Sequence, residues 1–168
     1  AQNDGSFEDL QKRWAQVNYQ LQGKEQINAF ESLIATADDY IAQQPKNPEL
    51  LIWRGIIKST YAGAKGGLAA LKYAKASKHD LEQAIDINAH ALHGSAYTSL
   101  GTLYFSVPGW PVAFGDDKKA KRFLLKHNIN LEMLYCLALK LVVYQMKSSN
   151  HYHPNSVYVF RCYLKVEV

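Results

Sequence analysis

The sequence predicts an all-α fold, a short right-handed stack of antiparallel helical hairpins forming one domain over residues 1–168. Three observations predict it. Apolar residues recur at three- and four-residue spacing through several separate stretches, as in helices with one buried face. Proline, glycine and cap residues punctuate those stretches. Similar helix endings also repeat: Asp86-Ile87-Asn88 and Asn128-Ile129-Asn130 lie about 42 residues apart, with Pro45 about as far upstream. A pair of such helices cannot bury its apolar stripes alone and has to stack on a neighbour.

Ser6-Phe7-Glu8-Asp9 has the form of a capping box and opens a helix whose stripe is Leu10, Trp14, Val17 and Leu21. Gly23 ends it. A second stripe, Ile27, Phe30, Ile34, Ala37 and Ile41, runs to Pro45. Asn47-Pro48-Glu49 supplies a cap residue, a proline for the first helical position and an acid for the first turn. Leu50, Trp53, Ile57 and Tyr61 follow as a buried stripe, and Gly55 permits a close helix contact. Gly63-Ala64-Lys65-Gly66-Gly67 breaks the pattern and reads as an interhelical turn; it lacks phosphate-loop spacing and no strand precedes it. An alanine-rich helix covers Leu68 to Asn88.

The chain is organised around Gly94 to Lys126. Tyr97, Leu100, Gly101 and Tyr104 place large side chains on successive turns beside a glycine. Pro108-Gly109-Trp110-Pro111 stops that helix, since proline lacks the amide donor and clashes with the preceding turn. Gly115-Asp116-Asp117 starts the next one, an aspartate capping free amides at the positive end of the dipole. A further helix is expected over Leu131 to Lys147. The tail alternates Phe160, Cys162, Leu164, Val166 and Val168 with Arg161, Tyr163, Lys165 and Glu167, a strand signal. Within residues 150–168 it would pair with another copy, lie as an extended arm, or be drawn into helix by packing. The first outcome makes it a self-association edge.

These units resemble the tetratricopeptide repeat family over about residues 24–132. Tyr97, Leu100, Gly101 and Tyr104 are similar to the family's aromatic-x-x-Leu-Gly-x-x-Tyr pattern, and Ala120 and Leu124 to the small and large positions of its second helix. Ala84-Ile85-Asp86-Ile87-Asn88 looks like the family's Ala-Leu-x-Leu-Asn ending, with Ala89 in place of proline. The units are longer than the family's, His127 and Glu132 replace expected residues, and the tail does not fit. The resemblance implies an α-solenoid that binds proteins or peptides. It also implies that the first helix of each pair lines a groove, where Arg54, Lys58, Thr98 and Thr102 would lie beside Tyr61. Arg54 and Lys58, one turn apart, would then offer a cationic spot to a carboxylate such as a peptide C-terminus.

Composition fits this reading. Apolar content of 48% and charged content of 20% are ordinary for a globular protein. The net charge of +4 is uneven: −3 over residues 1–48, +2 over 49–114 and +5 over 115–168. That gradient reads first as a solvated face, and otherwise as favouring an acidic partner at the C-terminal end. Nucleic-acid binding would need a denser basic stripe with stacking rings, so no nucleic-acid partner is expected. Cys136 and Cys162 are too few for a disulfide framework. No apolar run spans a membrane; Leu131 to Val143 comes nearest and is interrupted by Glu132 and Lys140. The start at Ala1-Gln2-Asn3-Asp4 resembles a mature protein cut behind a small residue, so a periplasmic or secreted location is expected over a cytoplasmic one.

Signals for chemistry are sparse. His90 and His93 would share a face if helical, but no acid or cysteine adjoins them. His151 and His153 lie in a polar stretch. His79-Asp80 beside Glu82 could hold an acid–base pair, but reads first as the exposed side of a helix. No nucleophile elbow, paired-acid motif or dinucleotide fingerprint occurs, and no cofactor or metal is expected. In the loop Pro108 to Asp117, Trp110 and Phe114 would either plug the hairpin or present an interaction site. The expected function is therefore a non-enzymatic interaction module for a protein or peptide. The alternatives are an exported small-molecule-binding accessory protein for solute uptake or the envelope, with tyrosines around an apolar pocket, and a metal-dependent helical enzyme using His79, His90 or His93.

Overall fold

The computed structural model describes residues 6–126. Expectations for Cys136, Cys162, His127, His151, His153, the helix from Leu131 and the alternating tail lie outside those residues. Six helices follow in order: α1 Ser6–Gln20, α2 Gly23–Gln43, α3 Pro48–Lys65, α4 Gly67–Asn88, α5 Ser95–Ser106 and α6 Asp117–Lys126. A short 3-10 turn, Ala91–Gly94, joins α4 to α5. Among the described residues the fold is all-α; the one β-like contact is an isolated bridge between Gly109 and Gly115.

Local chemistry accounts for the boundaries. The Asn47 side chain accepts bonds from the amides of Glu49 (3.0 Å) and Leu50 (3.3 Å), with Pro48 in the first turn where no donor is needed. The break expected over Gly63–Gly67 is narrower in the structure. Helix α3 continues through Gly63 to Lys65, and Gly66 and Gly67 turn the chain with φ of 65° and 67°, a region that costs glycine little. Helix α5 ends at Ser106. Val107 before Pro108 is extended (φ −87°, ψ 141°), as a residue preceding proline prefers.

Consecutive helices run antiparallel and pack as α1 with α2, α3 with α4 and α5 with α6. The first helices also touch one another, α1 with α3 and α3 with α5, and each packs on the second helix before it. Two apolar clusters result. One joins Leu10, Phe30, Leu33, Leu50, Ile57 and Tyr61. The other joins Leu51, Ile52, Leu81, Leu100, Leu103 and Tyr104. Helix α3 faces both, and Ile41 and Tyr73 pack against both, so the seam is continuous. In α2 the buried stripe is Phe30, Leu33 and Ala37, with Ile27, Ile34 and Ile41 at its margins.

The two glycines singled out by the sequence mark the closest crossings. A β-carbon on Gly55 would lie 2.8 Å from Leu81 Cγ, and one on Gly101 would lie 2.6 Å from Leu124 Cγ and 3.1 Å from the Ala120 carbonyl. At the first crossing the Ser77 hydroxyl donates to the Gly55 carbonyl at 2.7 Å. Ser77 and Ala120 stand at equivalent places, four residues before Leu81 and Leu124. The pattern is one unit used twice.

The variant Gly101→Ala should lose about 1–2 kcal/mol, because overpacking costs about 1–3 kcal/mol and outweighs the roughly 1 kcal/mol that alanine gains in helix propensity. Urea denaturation of the variant measures it. Combining it with Leu124→Ala should cost less than the sum of the two single changes, because the second change removes the clash.

Candidate binding surface

Arg54 and Lys58 project from α3 on the side facing α4, one turn apart and flanking Gly55. Asp80 of α4 meets them. Arg54 donates from Nε and Nη2 to Asp80 Oδ2 (2.9 Å) and Oδ1 (2.7 Å), a bidentate fork, and Lys58 Nζ donates to Oδ2 at 2.8 Å. Arg54 Nη1 reaches Asp38 of α2 at 2.8 Å. Burial alone would pull the Arg54 guanidinium down, but its bonds to Asp80 and then Asp38 outweigh this and hold it above the usual value. The side chain of Asp80 is 3% exposed, against 17% for Arg54 and 13% for Lys58. Two cations meet two anions, so this place carries no net positive charge. The charge of Arg54 and Lys58 is answered inside the chain, and Asp80 is a buried residue rather than part of an exposed helix side.

The same positions of the second hairpin hold no charge. Leu100 and Tyr104 flank Gly101 as Arg54 and Lys58 flank Gly55, and Phe123 precedes Leu124 as Asp80 precedes Leu81. There Tyr104 and Phe123 stack with ring centroids 5.6 Å apart. One hairpin fills the slot with an ion cluster and the other with rings.

Tyr61 is buried in the first cluster. Its hydroxyl bonds to the Glu31 carboxylate and accepts from Lys65 Nζ at 2.6 Å, while its ring meets Tyr73 edge-on at 4.6 Å. The Tyr61 bond, then Lys65, holds the Glu31 carboxyl below its usual range. Burial, then the Glu31 bond, raises the Tyr61 hydroxyl. Tyr61 and Tyr104 are therefore core residues of the stack. Thr98 and Thr102 are half-buried on α5, and the Thr102 hydroxyl donates back to the Thr98 carbonyl at 3.0 Å.

The loop after α5 divides its two rings. Phe114 folds back, edge-on to Tyr104 at 5.5 Å, and joins the second cluster. Trp110 points outward and is 89% exposed, with Val112 and Phe105 also exposed. The loop that carries Trp110 is closed by the Gly115 amide on the Pro108 carbonyl (2.9 Å) and the Asp116 amide on the Tyr104 carbonyl (3.0 Å). Gly115 allows this closure, since a β-carbon there would lie 1.9 Å from the Val107 carbonyl. Asp116 then caps α6, accepting from the amides of Lys118 and Lys119, both at 3.0 Å.

The histidines do not converge. His90 and His93 share no helix face, because Leu92 and His93 take left-handed backbone (φ 45° and 52°) in the turn between α4 and α5. His79, His90 and His93 are exposed. Among the described residues no group of three metal-ligating side chains gathers, and no helix is long and apolar enough to cross a membrane.

The sequence places Asp80 on an exposed side because its neighbours His79 and Glu82 are polar, whereas it is buried. The signal was its place one residue before Leu81, the residue that meets Gly55. No family model matches the chain, and neither a curated protein nor a solved structure does.

Two outcomes follow. Asp80→Ala should cost about 3–5 kcal/mol by leaving partly buried Lys58 unanswered and Arg54 with only half-exposed Asp38, whereas Arg54→Leu/Lys58→Tyr/Asp80→Phe, which copies the second hairpin, should restore most of that loss; denaturation of both variants decides it. For Asp116, the Lys119 amide foremost holds the carboxyl below its usual value of 3.8. A depressed folded value gives stability that is present above that pH and lost as the pH falls through the folded value. The thermal stability gap between the protein and Asp116→Ala should accordingly close in acid.

Proposed function

We propose that the chain is a tetratricopeptide-like helical repeat that binds a protein or peptide partner and performs no chemistry of its own. The observation that carries the reading is Trp110, a large ring almost wholly in solvent on a loop braced at both ends. Ordering a side chain costs binding energy, and a loop already tied to Tyr104 and Pro108 has little left to lose. Tryptophan is among the residue types that dominate interface energies.

The repeat itself supports the family reading. Each of two successive hairpins brings a glycine of its first helix against a leucine of its second, with a small residue one turn earlier. That is the packing the tetratricopeptide pattern encodes. Phe105 and Val112, both exposed near the same loop in the chain, extend the apolar area available to a partner. The groove role for Thr98 and Thr102 is compatible with their half-exposed places on α5. Arg54 and Lys58 fit a structural role better, since their charge is already met.

Capture of partners on the immobilised full chain, repeated with Trp110→Ala, tests the reading. The variant should keep its folding stability within about 0.5 kcal/mol, as exposed substitutions do, and lose at least one specific partner. Retention of every partner by the variant would overturn Trp110 as the contact.

A further inference from the structure

Helix α6 packs Lys118, Lys119, Lys121, Arg122 and Lys126 into ten residues. Its buried residues are Ala120 and Leu124. Lys118, Lys121, Arg122 and Leu125 fall at helical spacing on the opposite side. Three of these cations serve the fold: Lys119 lies 5.5 Å from the Tyr104 ring, Arg122 5.9 Å from the Phe123 ring and Lys126 4.9 Å from the Tyr97 ring, whereas Lys118 and Lys121 meet no ring or acid among the described residues. Lys118 and Lys119 stand in the first turn, where free amides already present positive charge and cations are disfavoured. Lys118 lies three and four residues from Lys121 and Arg122, and Arg122 four from Lys126, spacings at which like charges repel. Among the described residues, the acid within ion-pair reach of this set is Asp116, 4.0 Å from Lys119. Arg54 and Lys58 of α3, by contrast, are both met by Asp80. Lys118 and Lys121 thus run against the helix that carries them, and local mismatches of this kind are expected at functional or strained sites.

The face also has shape. Lys118, Lys121, Arg122, Phe123, Leu125 and Lys126 line an open depression of about 660 Å³. Leu125 is half-exposed in it. Phe123 packs against Tyr97 and Tyr104, so Leu125 is the apolar side chain that the cations of the outer face surround.

We propose that this outer face of α6 docks an acidic segment of a partner protein, its carboxylates on Lys118, Lys121 and Arg122 and an apolar side chain over Leu125. The proposal rests on the binding-module reading and names the chemistry of the partner. Arg122 can take a carboxylate bidentately, and the lysines add charge-assisted bonds. Cations at three- and four-residue spacing around one exposed leucine match carboxylates alternating with an apolar side chain along a peptide, whereas a membrane surface would call for a wider apolar face.

Fluorescence anisotropy with the full chain and a short labelled peptide of glutamates interspersed with leucines tests it. Lys118→Glu/Lys121→Glu/Arg122→Glu should weaken binding by about tenfold or more. Lys12→Glu/Lys24→Glu/Lys46→Glu, which changes net charge equally at exposed sites of the first two helices and their following loop, should change it by less than about twofold, and added salt should weaken it throughout. Should the α6 triple variant unfold by circular dichroism, Lys118→Gln/Arg122→Gln carries the same expectation with a smaller loss. Absence of saturable binding, or equal loss in both triple variants, would overturn the proposal. So would sedimentation with phosphatidylserine vesicles by a chain that ignores the peptide. A partner lost with Trp110→Ala but kept by the α6 variants would sink the α6 site and leave the module reading standing; a peptide that needs α6 while no partner needs Trp110 would do the reverse.

Discussion

Two helices of a hairpin can approach only as far as their side chains allow, and at Gly55 and Gly101 that limit is removed. Leu81 and Leu124 stand where a β-carbon would be. Much of the α3–α6 half follows from this closeness. It lets Ser77 reach the Gly55 carbonyl across the gap, and it brings the residues flanking each glycine within bonding distance of the opposite helix. The caps and turns then need only deliver the chain to the right place: Asn47 and Pro48 start α3, Gly66 reverses it, and Asp116 starts α6.

What fills the space beside each crossing differs, and the difference is instructive. The first hairpin uses Arg54, Lys58 and Asp80; the second uses Leu100, Tyr104 and Phe123. Rings gain from burial directly. A buried ion cluster gains little overall, because removing charge from water offsets most of the attraction. Its effect is on register: a shift of α4 along α3 would leave a buried charge without its counterpart, whereas stacked rings tolerate small slips. The two hairpins thus reach the same geometry by different means, one selective and one adhesive. This also decides where free charge is found. Arg54 and Lys58 of α3 are met by Asp80, whereas Lys118 and Lys121 of α6 meet no acid among the described residues.

Much of the architecture was legible in the sequence. The helix starts at Asn47 and Asp116, the stop before Pro108 and the two glycine crossings are local signals, and the structure has them all. The Gly63–Gly67 turn was overdrawn, because glycines inside a helix and glycines that end one look alike until backbone angles separate them. The candidate site was less legible. Arg54 and Lys58 were correctly placed one turn apart on α3, yet whether a cation faces solvent or a buried acid depends on the opposite helix, and Asp80 sat among polar neighbours that suggested exposure. Trp110 and Phe114 were indistinguishable by type and position; one packs and the other protrudes because the loop closes on Pro108 and Tyr104, a long-range fact. His90 and His93 looked like a helical pair until two left-handed residues intervened.

Helix α3 presents Leu50, Ile57 and Tyr61 to one cluster and Leu51, Ile52 and Ala62 to the other. It is a party wall. Solenoids whose units meet only at their borders can fray one unit at a time from an end. Here the middle unit's leading helix is inner lining for both sides, so loosening it opens two cores at once. The cooperative length of the array is therefore set less by the number of repeats than by how firmly this single helix is seated.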